Sequence, residues 1–280
     1  MPQCGCKTLD LNIILMRATN PRKSMKCGIY HTRVLVAVYS FLMKQKSDFK
    51  ILIACEESQT ICKAFRKQGF EAFSCDLLPC SGGHPEWHYQ QDVFEVINNG
   101  TKWDLMIAHP EYTYLTAANS YMKNGCSKYT KEEAVILRKN AVEFFMKLAN
   151  SNIKHIAIEN PIGIMSKVYR KPDQIIQPYQ FGDTFSKATC LWLKNLPLLK
   201  QTSFAEFTHY RCKCGNVFEK KYGKYGCCDY PAKPRWKNQS PTGQNNVPPG
   251  EDQRRIRAKT FDGIAEGIAT QWGSFLLNGY

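Results

Sequence analysis

From Phe49 onward, short continuous apolar runs alternate with stretches of helical spacing, and this alternation restricts the fold more than any other feature. "KILIACEE" is apolar at consecutive positions, the pattern of a parallel strand buried on both faces. "SQTICKAFRKQG" follows as a helix, with Ser58 as N-cap and Gly69 as its stop. "FEAFSCDLLP" is a second strand ending at Asp76, "DVFEVINNG" a short helix, and "WDLMIAHP" a third strand. Thr130-Lys131-Glu132-Glu133 has capping-box form, with Ala134, Leu137, Ala141, Phe145 and Leu148 at helical spacing behind it. "IKHIAIENP" and "KATCLWLKN" are further strands. Strands separated by helices predict an α/β fold with a doubly wound, mostly parallel, Rossmann-like sheet. Ligands of such sheets bind beyond the carboxyl ends of the strands, where Glu56, Asp76, His109 and Glu159 all fall.

At 280 residues the chain can bury one sizeable core with an insertion or extension. The core runs over 49–200. Residues 201–250 are rich in Cys, Gly, Pro and Lys and read as a small insert, and 251–280 return to helix, with Phe261, Ile264, Ile268 and Trp272 on one face that packs back on the core. Residues 1–48 are a basic leader without clear pattern, and Met43 is the more ordinary start. The apolar run Val34 to Met43 is half the length of a bilayer span, so no membrane helix is expected. The first residues lack a secretory pattern, which points to a reducing cytoplasm where the 13 cysteines are thiols or metal ligands.

Net charge is +14 and unevenly placed. Residues 1–50 carry nine Lys/Arg against two acids, and 200–259 carry thirteen against five, whereas 51–199 are nearly balanced with sixteen against fifteen. Two basic ends around a neutral core suggest a polyanionic partner, with general solubility as the competing explanation. In the insert, Lys220, Lys221, Lys224, Lys233, Arg235 and Lys237 alternate with Tyr222, Tyr225, Tyr230 and Trp236, a pattern suited to phosphate contacts and stacking on an unpaired base. Cys212, Cys214, Cys227 and Cys228, with His209 nearby, are a candidate structural zinc site. Their spacings, one Cys-x-Cys and one adjacent pair, leave a reduced thiol cluster as the alternative.

At the strand ends, Asp76 can accept both ribose hydroxyls of a nucleoside cofactor and Asp92 can hold an adenine amine, although a lone strand-end acid is also a common solvated turn residue. The first turn, "ACEESQ", lacks Gly-x-Gly-x-x-Gly, which disfavours a dinucleotide. "AIENP" sets Glu159 at the end of an apolar strand, where a partly desolvated carboxyl can keep or take up a proton and bond a ring nitrogen, and Asn160 can fix the adjoining loop.

The runs "ILIACEESQTICKAFRKQGFEAFSCDLLPCSGGHPEWHYQQDV", "WDLMIAHP", "IAIENP", "YQFGDTFSKATCLWLKNLP", "NQSPTGQN" and "RAKTFDGIAEGIATQW" together resemble the phage and bacterial DNA cytosine methyltransferase-like proteins, over residues 49 to 275 and in the expected order. The resemblance implies a monomeric S-adenosylmethionine-dependent enzyme of a bacterial or phage-infected cytoplasm, acting on carbon 5 of a cytosine flipped out of double-stranded DNA. It implies that Ala54, Cys55, Glu56 and Ser58 lie against the methionine part of the cofactor, with Asp76 at its ribose, Asp92 near its adenine and His109 beside it. Glu159 would hold the cytosine ring nitrogen, and Lys259 to Trp272 would cover the cofactor.

The sequence departs from that pattern at one turn. The resembled family has His-Pro-Pro-Cys where this chain has His109-Pro110-Glu111-Tyr112. A thiolate must attack carbon 6, and a phenol of ordinary pKa near 10 is a poor substitute. Three readings follow: a scaffold that binds cofactor and DNA without turnover, an exocyclic-amine methyltransferase in which His109, Pro110 and Tyr112 stack on and hold the base, or recruitment of another thiol such as Cys80 or Cys126.

Overall fold

The computed structural model describes residues 44–116, 129–212, 214, 216–219, 233–239 and 259–279. Most of the basic leader, Cys126, Cys227, Cys228 and the insert's Lys220 to Tyr230 lie outside the described residues. The main sheet is assembled from β1 (Lys50–Ala54), β2 (Glu71–Asp76), β3 (His88–Gln90), β4 (Leu105–Ala108), β5 (His155–Pro161), β6 (Gln174–Ile176) and β7 (Thr189–Lys194). Their order is β3-β2-β1-β4-β5-β7-β6. The first five are parallel, and β7 runs antiparallel to both its neighbours. This is the doubly wound α/β arrangement expected. Two short strands, β3 and β6, escape a periodicity reading because three residues carry no repeat.

Alternate residues of each strand supply two cores. Ile51 and Ile53 of β1 face α1 (Thr60–Lys67) and the C-terminal helix α5 (Asp262–Leu277), where Phe65, Phe70, Ile264, Ile268 and Trp272 complete one cluster. Leu52 and Ala54 face α2 (Val93–Ile97) and α3 (Lys131–Ala149), with Val96, Trp103, Phe145, Leu148 and Trp192. A fully buried parallel strand has no polar face, which is why "ILIA" is apolar without alternation. Trp272 is fully buried, its indole N–H donating to the Pro197 carbonyl at 3.0 Å. A short α4 (Met165–Val168) follows β5.

Helix ends show which local signals were sufficient. Thr130 and Glu133 make both bonds of a capping box. At α1, by contrast, Ser58 is not the N-cap. The helix starts after Gln59, which is left-handed (φ 56°) and gives no side-chain cap. Cys55 is also left-handed (φ 59°), so the chain folds back sharply after β1 and tucks the Glu56 carboxylate under the first turn. That carboxylate accepts from the Ile61 and Cys62 amides at 2.8 and 3.3 Å. The Gln59 side chain instead fastens a distant loop, bonding the amide and carbonyl of His84 at 3.0 and 2.7 Å.

The insert contains a three-stranded antiparallel sheet ordered β10-β8-β9, from β8 (His209–Arg211), β9 (Val217–Glu219) and β10 (Lys233–Arg235). It packs with the core in one unit, Lys46–Tyr280. Trp236 stacks on Tyr179 with ring centroids 4.3 Å apart and planes 14° from parallel. Among the described residues no helix is long and apolar enough to cross a membrane.

Candidate active site

The strand order places β1 and β4 side by side although the chain leaves them in opposite directions across the sheet, which opens a crevice at their carboxyl ends. The crevice is a cleft of ≈ 600 Å³, within the ordinary range for small-ligand sites. It is lined by Cys55, Glu56, Ser58, Asp76 and Asp92, which follow β1, end β2 or precede α2, and by His109, Pro110, Tyr112, Glu159 and Lys187, which follow β4, lie on β5 or precede β7. The Lys259-Thr260 segment ahead of α5 lines it as well, while α5 itself packs on the sheet face beside α1. Of the residues singled out from the sequence, Ala54 is buried at the end of β1 and Asn160 is buried behind the wall. Cys212 is buried and Cys214 exposed, and neither lines the cleft. Among the described residues no three His, Cys, Asp or Glu side chains are grouped to hold a metal; the other two cysteines of the candidate zinc set lie outside them.

At the first end, one Asp76 oxygen accepts from the Leu78 amide at 2.9 Å, and burial pushes its carboxyl above the ordinary range. Leu77 and Leu78 are 72% and 55% exposed, an apolar rim beside a carboxylate. Asp92 caps α2, accepting from the Phe94 amide at 2.7 Å. The thiols here are poor nucleophiles: burial, then the neighbouring Asp76, raise Cys55 strongly, and burial pushes Cys75 up to about 12.

At the other end, the His109 amide bonds the Ala54 carbonyl at 2.9 Å, continuing the β1–β4 pairing past the strand ends. Its imidazole Nδ1 meets Glu159 Oε2 at 2.9 Å, and each side chain is only 13% exposed. Burial lowers the imidazole's pKa, but Glu159 and then Glu56 outweigh it and hold the ring above its ordinary value. Burial pushes Glu159 up, yet His109, Lys187 and a hydrogen bond from Thr189 bring the carboxyl below the usual range. The pairing with His109 acts against the sequence expectation that the Glu159 carboxyl can keep or take up a proton, since it holds that carboxyl below the usual range. His109 Nε2 and Asn160 Oδ1 are both buried with no hydrogen-bond partner among the described residues.

The His109–Tyr112 turn is tied on both sides. Asn160 Nδ2 donates to the Pro110 carbonyl at 3.1 Å, and the Tyr112 carbonyl accepts from the Leu115 and Thr116 amides at 2.9 and 3.1 Å. Gly163 approaches the same turn so closely that an added Cβ would lie 2.1 Å from the Leu115 oxygen.

Sequence reasoning missed Lys187. It precedes β7, and only the antiparallel insertion of β7 beside β5 brings the start of one strand to the end of the other, with Pro161 opposite Thr189. No periodicity along the chain encodes that pairing.

No family model matches the sequence, and no curated protein matches it. Among solved structures, the chain is similar to a candidate DNA modification methyltransferase encoded within a prophage of E. coli, with a TM-score of 0.34 and 10% identity. The similarity covers 52% of this chain and 46% of that one, less than half of the relative's length.

Proposed function

We propose that the protein is a DNA base methyltransferase scaffold that binds S-adenosylmethionine beside Asp76 and Asp92 and receives a flipped base beside Glu159, with carbon-5 chemistry on cytosine disabled at Tyr112. The observation that carries this reading is the meeting, in one cleft at the topological switch point, of the Asp76 end and the His109–Glu159 end. The residues fit the cofactor. Asp76 has carboxylate capacity beyond its Leu78 bond, and the exposed leucines offer an apolar surface to a flat ring. When bound, the cofactor supplies an electrophilic methyl group. This chain's own residues would hold the base: Tyr112 by ring contact, Glu159 by accepting an N–H, and Asn160 by keeping the turn in place.

The basic insert supports a DNA partner. By strand register, Arg211, Lys233 and Arg235 share one face of the small sheet with His209, Val217 and Glu219, and Tyr210, Phe218 and Pro234 fall on the other. Three Lys/Arg positions on one face suit contacts to a phosphate backbone.

A second reading, methylation of an exocyclic amine, is favoured by one feature, the Glu159 carboxyl that His109 and Lys187 hold below the usual range. A carboxylate that cannot donate to a ring nitrogen can still accept from an amine, and amine attack needs no enzyme thiol. Nucleoside mass spectrometry on DNA from cells expressing the parent and Tyr112→Cys separates the readings. Carbon-5 methyl only in the variant supports the disabled scaffold, and amine methyl in the parent establishes the second reading. No methyl from either, with purified protein that binds neither S-adenosylhomocysteine nor a DNA duplex, overturns both.

A further inference from the structure

The loop that carries Lys187 is held by an element of the insert. Asn238, three residues past β10, bonds the backbone of Ser186 twice: its Oδ1 accepts from the Ser186 amide at 2.9 Å and its Nδ2 donates to the Ser186 carbonyl at 2.8 Å. The Lys237 amide donates to the Thr184 carbonyl at 3.1 Å in the same contact. From the core side, Gln177 Oε1 accepts the Lys187 amide at 2.9 Å. The turn bearing Asn238 is itself closed, since Gln239 Oε1 accepts the Trp236 amide at 3.2 Å and Trp236 stacks on Tyr179. Lys187 Nζ then lies 6.0 Å from the centre of the Phe261 ring and lines the cleft.

We infer that Asn238 is a positioning residue: by gripping the Ser186 backbone at both its donor and its acceptor, it sets the Lys187 ammonium opposite the His109–Glu159 pair. A two-point grip on the two peptide groups that flank one residue fixes orientation as well as distance, which a single bond to a loop does not. The insert with the basic face thus also sets a charge inside the cleft. The functional weight of this inference rests on the cleft being where the base is held; its test needs neither cofactor nor DNA.

The charged groups around His109 are Glu159 on β5, Glu56 after β1 and Lys187 before β7. Lys187 opposes protonation of the ring, so moving it away makes His109 titrate at higher pH. The experiment is a histidine-selective NMR titration of the whole chain, with the His109 signal assigned by its loss in His109→Gln. The expected result is an upward shift in Lys187→Met, a similar shift in Asn238→Ala, and no further shift in the double variant. Asn238→Ser, too short to make both bonds, serves as a second probe with the same expectation if Asn238→Ala does not fold. An unchanged His109 titration in the Asn238 variants, or shifts that add in the double variant, would overturn the inference.

Discussion

Replacing Glu159 by Gln tests the central electrostatic argument, because the amide keeps the shape and removes the charge that holds His109 protonated. His109 is raised, so its contribution to stability is present in full below the unfolded value near 6.5 and is lost as pH rises through the folded value. Glu159 is lowered, so its contribution is present above about 4.3 and is lost as pH falls through its folded value. The pair therefore stabilises the fold most between about pH 4.3 and 6.5. In the variant burial and Lys187 still oppose protonation of His109 and only Glu56 still favours it, so the folded ring sheds its proton at lower pH than in the parent. Removing one partner of a buried pair costs on the order of 3–5 kcal/mol if the other charge must remain. Here the imidazole can shed its proton, so the cost depends on pH. Above the folded pKa of His109 the variant loses little more than a hydrogen bond, about 1 kcal/mol. Towards acid, the folded parent holds a proton that the folded variant lacks, and the difference grows by about 1.4 kcal/mol per pH unit. Between pH 7.5 and 5.5 the stability gap should widen by up to about 2.7 kcal/mol, measured by urea unfolding of both proteins at half-unit intervals. A gap constant across that range would refute the assignment of a charged pair.

Two further outcomes follow from the cleft's first end. Glu56→Ala should cost about 1–2 kcal/mol through loss of the α1 cap, and hydrogen exchange should show the Ile61 and Cys62 amides losing protection before the rest of that helix. Because burial pushes Cys62 and Cys75 up to about 12 and Cys55 higher in the same direction, these three thiols should resist iodoacetamide at pH 8 in the folded protein while the exposed Cys214 reacts. Rapid labelling of Cys55, read by peptide mass spectrometry, would contradict that and return a nucleophilic thiol to the cleft.

The α/β alternation, the Thr130 capping box, the Gly69 stop and the strand-end positions of Asp76, His109 and Glu159 are all properties of residues close together in the chain. Local spacing and composition therefore determined them. The departure from a cysteine at Tyr112 is likewise legible from the sequence, and it bears most directly on the chemistry. Tertiary structure decided three other things: that Glu56 rather than Ser58 caps α1, that Glu159 pairs with His109, which holds its carboxyl below the usual range, and that Lys187 reaches the cleft. The first depends on two left-handed residues folding the turn back, the second on a histidine fifty residues away, and the third on an antiparallel strand slotted beside β5. The last two join groups distant in sequence, and the first is a backbone fold-back that residue spacing does not encode; charge, burial and hydrogen bonding act through space and not along the chain.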